Sequence, residues 1–275
     1  MTAPLRRVLL RRPSVTGDFH AADWRRPSPD ALVSQHDQFA ELLTDLGCQV
    51  LLAEALDGLV DACYTRDPGI VTGRGAILFQ MAKPARKPEP EALGEAMESA
   101  GVPVIARLDA AACADGGDFV WLDEDTLLVG RSYRTNAAAV RQLRAILAEE
   151  DVRVIPVDLP HDRGPHHVLH LMSFLSPLAD DLAAVYQPLA PVSLLEALDD
   201  WGITVVPIDH DEYLTMACNI LPVRPRVLVM VDGNARTRAA LEAQGCEVHV
   251  YDGSDISIKG DGGPTCLTQP LWRAP

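Results

Sequence analysis

The sequence predicts an α/β fold in which one supersecondary module is used five times and closes radially around a central site. The first observation behind this is a repeated junction, where a helical pattern ends and a short strand rich in β-branched residues follows. It occurs at Gly47-Cys48-Gln49-Val50, Gly101-Val102-Pro103-Val104, Asp151-Val152-Arg153-Val154, Gly202-Ile203-Thr204-Val205 and Gly245-Cys246-Glu247-Val248. The junctions recur about every 50 residues, which marks a repeated unit. The second observation is a surplus of short apolar strands. A doubly wound sheet alternates one strand with one helix, whereas here each helix is accompanied by two or three strands.

The elements follow in chain order. Val8-Leu9-Leu10 is a first strand. Ser28-Pro29 supplies an N-cap and a first-turn proline, after which Leu32, His36, Phe39, Leu43 and Leu46 recur at helical spacing. Strands at Gly69–Val71 and Ala76–Phe79 precede a helix over Glu89–Ala100 with Ala92, Leu93, Ala96, Met97 and Ala100 on one stripe. Phe119–Trp121 and Thr126–Val129 precede a helix over Asn136–Ala148, with Val140, Leu143 and Leu147 inward. Ser193–Trp201 is the fourth helix, and the strand Arg226–Met230 leads to the fifth, Asn234–Gln244. Four of the five junctions place glycine where a helix C-cap needs a left-handed residue, and Asp151 stands at the other. Lys83 to Pro90, with three prolines, reads as a surface loop, and no segment reads as a linker, so residues 1–275 are expected to form a single domain.

Composition narrows the function. Hydrophobic residues make up 48% of 275, which rules out disorder. The formal net charge of -15 opposes non-specific binding to nucleic acid or anionic membrane, because phosphate binding rests on Lys and Arg, and it favours a cationic small molecule. No apolar run approaches the ~20 residues of a membrane span, and Val8-Leu9-Leu10 is too short for a signal peptide. The six cysteines are scattered with no CxxC pair, the pattern of reduced thiols in a cytoplasmic protein without a zinc site. No glycine-rich phosphate loop is present, which argues against nucleotide chemistry.

Five polar stretches lie at strand edges: Asp61 to Asp67, Asp115 to Asp118, Arg131 to Asn136, Leu169 to Ser173 and Gly262 to Thr268. Each has a bland reading. A lone Cys266 is ordinarily a small core hydrophobe, but after a glycine pair it can be aimed into a cavity, where a histidine and an acid would make it a nucleophile. His170, between Leu169 and Leu171, reads by default as a satisfied core histidine. His166, His167 and His170 have a metal-like spacing but no accompanying acidic motif, so no metal is expected. Asp115-Gly116-Gly117-Asp118 could be only a turn, and Asp61 and Asp67 could be solvated caps. Gly260-Asp261-Gly262-Gly263-Pro264 lacks the serine of the protease sequence Gly-Asp-Ser-Gly-Gly-Pro.

Taken together, the stretches resemble the guanidine-modifying superfamily of dimethylarginine dimethylaminohydrolases, arginine deiminases and amidinotransferases. The likeness runs from Asp61 to Cys266 and is carried by Asp-Gly-Gly-Asp followed by Val129-Gly130-Arg131-Ser132-Tyr133-Arg134-Thr135-Asn136, and by Gly-Gly-Pro-Thr-Cys-Leu-Thr-Gln near the end. The resemblance implies a five-bladed α/β propeller with pseudo-fivefold symmetry, the pentein fold, forming a single catalytic domain. It implies Cys266 as nucleophile, His170 as general acid and then base, and Asp115 beside the histidine, contacting the guanidinium. Asp61 and Asp67 match the pattern that holds the substrate nitrogens, and Asp118 is counted with them. Arg86 and Arg134 match positions that bind the substrate carboxylate. No cofactor is needed.

The branch of the superfamily is read from one position. Deiminases place a carboxylate two residues after the histidine; here Met172 stands there. A thioether accepts only weak hydrogen bonds, so an unsubstituted guanidinium loses a grip while N-methyl groups gain an apolar neighbour. The expected activity is hydrolysis of Nω-methylated arginine to citrulline and an alkylamine. Alternatives are hydrolysis of arginine or another guanidino compound, amidino transfer, and a non-catalytic ligand-binding propeller. Residues Arg11 to Ser28, with Phe19 and His20, are a candidate lid, and a monomer or homodimer is expected.

Overall fold

Each module is an antiparallel strand pair followed by a helix and a third strand parallel to the middle one. The computed structural model describes residues 2–165, 167 and 169–274, so His166 of the histidine spacing and Val168 lie outside the described residues. The chain begins with β1 (Leu5–Arg11), α1 (Pro29–Asp45) and β2 (Gln49–Ala53). The second module is β3 (Gly69–Val71), β4 (Ala76–Leu78), α2 (Glu89–Ser99) and β5 (Val104–Arg107). The third is β6 (Phe119–Trp121), β7 (Thr126–Arg131), α3 (Ala137–Leu147) and β8 (Arg153–Asp158). The fourth is β9 (Leu175–Ala179), β10 (Leu182–Val185), α4 (Val192–Asp200) and β11 (Thr204–Pro207), with the short α5 (His210–Tyr213) after it. The fifth is β12 (Leu221–Arg224), β13 (Val227–Val231), α6 (Ala235–Ala243) and β14 (Glu247–Tyr251). Finally β15 (Gln269–Arg273) returns to the first module.

Among the described residues these strands form five three-stranded sheets, ordered β15-β1-β2, β3-β4-β5, β6-β7-β8, β9-β10-β11 and β12-β13-β14. A parallel pair needs a long crossover, and the helix of each module supplies it. The first module is completed from the far end of the chain: β15 runs antiparallel to β1, with Leu5 opposite Arg273 and Leu9 opposite Gln269. Neighbouring modules touch, β9 against β12, β12 against β1 and β15 against β3. The result is a five-bladed α/β propeller whose N- and C-terminal strands share one blade.

The repeated junction is one capping device used five times. Gly47, Gly101, Asp151, Gly202 and Gly245 are all left-handed, with φ of 89°, 79°, 56°, 70° and 77°. The residue after each donates its N–H to a carbonyl five positions back: Cys48 to Leu43, Val102 to Met97, Val152 to Leu147, Ile203 to Leu198 and Cys246 to Leu241. These are the bonds of a Schellman cap, and they turn each helix directly into its third strand. Each acceptor carbonyl belongs to a buried apolar residue of the helix. Ser28 and Asn136 cap α1 and α3, their side chains accepting from Ala31 and Ala139. The helical stripes close on the blades, α1 on β2, α2 on β4 and β5, α3 on β8, α4 on β11 and α6 on β14. Burying one such Leu or Phe side chain contributes roughly 1.5–3 kcal/mol. The largest core cluster runs from Val120 and Leu128 through Leu178 and Ala184 to Met230, so the apolar packing crosses from the third blade to the fifth.

Lys83 to Pro90 is not the simple surface loop expected. Residues Pro84–Arg86 form a short turn, Glu89 and Pro90 open α2, and Arg86 and Glu89 are buried. Ion pairing draws the segment inward despite its prolines. Among the described residues no helix is long and apolar enough to cross a membrane.

Candidate active site

The segment leading into the first strand of each module reaches one cavity of about 390 Å³. Asp67 comes from the segment before β3, Asp115 and Gly117 from that before β6, His170 from that before β9, Asn219 from that before β12, and Cys266 from that before β15. The pseudo-fivefold repeat therefore brings five different chemical groups to equivalent places around one axis.

Cys266 lies half-buried at the end of a turn begun by Gly263, whose carbonyl accepts its N–H at 3.0 Å. Its Sγ accepts the Asn219 Nδ2–H at 3.3 Å. Burial, with the charge of Asp67 adding to it, pushes the thiol up to about 11, against the opposing pull of that hydrogen bond. His170 is held by its neighbours. Its N–H donates to Ser173 Oγ at 3.0 Å, and the next amide, of Leu171, donates to Asp118 Oδ1 at 2.9 Å. Its Nε2 stands 3.4 Å from Asp115 Oδ2. Burial draws the imidazolium down, but the contact with Asp115 and the charges of Asp118 and Asp67 outweigh it, so the group lies above its ordinary value. Two buried atoms here, His170 Nε2 and Asp115 Oδ1, have no hydrogen-bond partner among the described residues. Unpartnered buried polar atoms are costly, and on a cavity wall they are where a polar ligand would bond.

Gly117 permits the histidine's position. A Cβ there would lie 2.4 Å from His170 Nδ1, inside any tolerable contact. Gly117→Ala is expected to swing the ring away from Asp115 with little change in Tm, which NMR of the His170 imidazole beside a thermal melt checks.

Asp67 is anchored on both sides. Its Oδ1 accepts the Gly117 N–H at 3.1 Å and its Oδ2 pairs with Arg86 Nη1 at 2.6 Å. Burial pushes this carboxyl up, and the charges of Arg86 and His170 more than offset it, leaving it below its ordinary range. The aromatic wall is Tyr64 stacked on Trp24, with ring centroids 5.4 Å apart.

The model of the eukaryotic N,N dimethylarginine dimethylhydrolase family matches residues 27–273. The chain belongs to this family. Among curated proteins it is 30% identical to the uncharacterized protein YkgA of Bacillus subtilis, over 87% of this chain and 79% of that one. It is 27% identical to an arginine deiminase of Listeria monocytogenes, over 79% of this chain and 62% of the deiminase, so the match spans under two thirds of the deiminase's length. Among solved structures, DDAH from Pseudomonas aeruginosa complexed with citrulline superposes with a TM-score of 0.79 at 23% identity, covering 97% of this chain and 99% of that one. The N-terminal domain of ArgZ, an arginine dihydrolase from cyanobacteria, gives 0.84 at 18% identity, covering 97% of each. These likenesses share the five-bladed fold. As a dimethylarginine dimethylhydrolase family member the chain is an amidine hydrolase of the guanidine-modifying superfamily.

In this family member, Cys266, His170, Asp115, Asp67 and Arg134 come together on the cavity as the sequence suggested. Asp61 and Arg86 line the same cavity, Asp118 does not, and all three already hold protein partners. Arg86 has donors on all three nitrogens already engaged, Nε and Nη2 with Glu89, Nη1 with Asp67, and Nη2 also with the carbonyls of Asp61 and Tyr64. From the cavity wall it braces Asp67. Asp61 accepts Trp24 Nε1–H at 2.7 Å and Lys83 Nζ at 2.9 Å, one on each oxygen, so it pins the Arg11–Ser28 segment over the site. Asp118 is fully buried and gives its oxygens to Leu171 N–H and Ser132 Oγ, which makes it the anchor of the histidine turn. The bonding of Asn219, Trp24 and Lys83 was not anticipated. An amide inside the apolar run from Ala217 to Val223 was the available signal for Asn219.

Proposed function

We propose that the chain hydrolyses the guanidinium of an Nω-methylated arginine, giving citrulline and an alkylamine through a covalent thiouronium on Cys266. The observation that carries the reading is the set of the Cys266 thiol, one histidine–carboxylate pair and Asp115 Oδ1, unpartnered among the described residues, on a single cavity. On this reading the five blades form one catalytic unit.

Guanidinium is resonance-stabilised and a poor electrophile. Asp115 Oδ1 and Asp67 accept its N–H groups and hold the carbon against the sulfur, which supplies orientation. Before substrate arrives, burial favours the Cys266 thiol, and the contact with Asp115 and the charges of Asp118 and Asp67 favour the His170 imidazolium. A cationic substrate beside the sulfur reverses the electrostatic penalty and favours thiolate, the thiol proton passing to solvent water. The thiolate adds to the guanidinium carbon, and His170 gives its proton to the departing amine as the C–N bond breaks. The neutral histidine then takes a proton from water, whose oxygen adds to the thiouronium carbon. Return of the C–S electron pair to sulfur, with the hydroxyl proton passing to it, releases the urea product and restores the thiol. With Arg86 spent on acids, Arg134 on the cavity receives the substrate carboxylate. Met172, buried on the lining two residues after His170, offers an apolar contact to N-methyl groups.

Arginine itself is the second reading, favoured by the arginine deiminase among the relatives. Offering asymmetric dimethylarginine, monomethylarginine, arginine and agmatine separately, with products read by mass spectrometry, decides between them. Citrulline with dimethylamine or methylamine is expected; turnover of arginine alone would overturn the substrate and keep the chemistry.

A further inference from the structure

Asn219 is a buried amide among fully buried apolar neighbours, Cys218, Ile220 and Leu221. A polar side chain there is costly unless every atom is bonded, and this one is. Its Oδ1 accepts both the N–H and the Oγ1–H of Thr265, at 3.0 and 2.6 Å. Two donors on the oxygen fix which way the amide faces, so Nδ2 is turned to Cys266 Sγ at 3.3 Å. The backbone of the cysteine turn is fitted to the same amide: a Cβ on Gly263 would meet Asn219 Cγ and Oδ1 at 2.5 Å. Asn219 thus touches Gly263 and Thr265, both just before the nucleophile, and the sulfur itself.

We propose that Asn219 holds the sulfur of Cys266 as a thiolate, its Nδ2–H aimed where negative charge appears before attack. The inference rests on Cys266 being the nucleophile. A hydrogen bond to an ionised acceptor is roughly twice as strong as one to a neutral acceptor, so the amide favours thiolate over thiol. Thr265 makes the orientation unambiguous and prevents the amide from presenting its oxygen to the sulfur.

The test is thiol–disulfide exchange of the full chain with a small aromatic disulfide between pH 7 and 9, reading the phase that Cys266→Ser removes. Asn219→Asp keeps the shape and the acceptor toward Thr265 while replacing the donor by a carboxylate oxygen. Each unit of rise in thiol pKa lowers the thiolate fraction about tenfold and raises its nucleophilicity about threefold, so the observed rate falls about threefold. Lost donor and added charge together are expected to slow Asn219→Asp about tenfold or more, and Asn219→Ala about threefold, with unchanged circular dichroism. A merely structural role loosens the turn and exposes the thiol, which speeds exchange. Exchange in Asn219→Asp within about twofold of wild type, or faster than it, would overturn the proposal. Turnover retained by Cys266→Ser would instead overturn the nucleophile assignment, whatever Asn219 does.

Discussion

Cys266→Ser is expected to lose turnover by at least about a thousandfold, the scale on which removal of a covalent nucleophile acts. The hydroxyl is close in size, so the close approach of Gly263 and the Thr265–Asn219 bonds survive, and Tm should hold. Chemistry fails because an alcohol ionises far less readily than even a buried thiol, and the site offers no strong base at the hydroxyl. His170 lies above its ordinary value, and on the proposed reading its proton goes to the departing amine. Binding is expected to persist, since Asp67, Asp115 and Arg134 are untouched. Calorimetric titration of the variant with substrate, alongside mass spectrometry of the wild-type adduct after acid quench, separates the two. Turnover within tenfold of wild type would mean that water attacks directly and that the sulfur only lines the wall.

The repeat was legible because it rests on local chemistry. A helix that ends at a left-handed residue and turns into a strand must show glycine or a tolerant substitute, and Asp151 at φ 56° is that substitute. Strands at Gly69–Val71 and Phe119–Trp121 were also local, being short buried runs between turns. β15 was not legible, since it completes the first blade by pairing Leu9 with Gln269 across the whole chain. No nearby residue announces such a partner.

The site divides along the same line. Cys266, His170 and Asp115 sit in stretches with a recognisable pattern. Asp61, Asp118 and Arg86 sit in equally recognisable stretches, yet their neighbours decide their tasks, and those neighbours are distant in sequence. Trp24 reaches Asp61 from 37 residues away, and the Leu171 amide reaches Asp118 from 53. Asn219 shows what the repeat itself could have supplied: with the other four blades each giving a polar group just before the first strand, the fifth had to be searched at the same place. The Arg131–Asn136 stretch brings Arg134 to the cavity and otherwise has a supporting task, Ser132 bonding Asp118 and Thr135 accepting the Asp115 N–H.

Asp115→Asn carries the second large effect, because one carboxylate serves two partners. It is fully buried, with Oδ2 facing His170 Nε2 at 3.4 Å and Arg134 Nη1 at 3.5 Å, and Oδ1 without a partner among the described residues. Asparagine keeps the volume and removes the charge. Burial, which draws the His170 imidazolium down, then loses its main opponent. Because the wild-type group lies above its ordinary value, its proton is held at low pH and lost as pH rises through the raised pKa. The proton that the amine needs therefore disappears on the alkaline side, and in Asp115→Asn the alkaline limb of kcat/KM is expected at lower pH. Loss of the acceptor on the guanidinium adds a rise in KM. Together these are expected to lower kcat/KM by about 10³-fold or more near neutral pH. Asp115→Glu retains the charge and should return the limb toward wild type even if misplacement keeps kcat low. NMR titration of the His170 imidazole in both variants reads the shift directly. A limb that stays put in Asp115→Asn would mean that Asp118 and Asp67 alone hold the proton on His170, and that Asp115 acts only on the substrate.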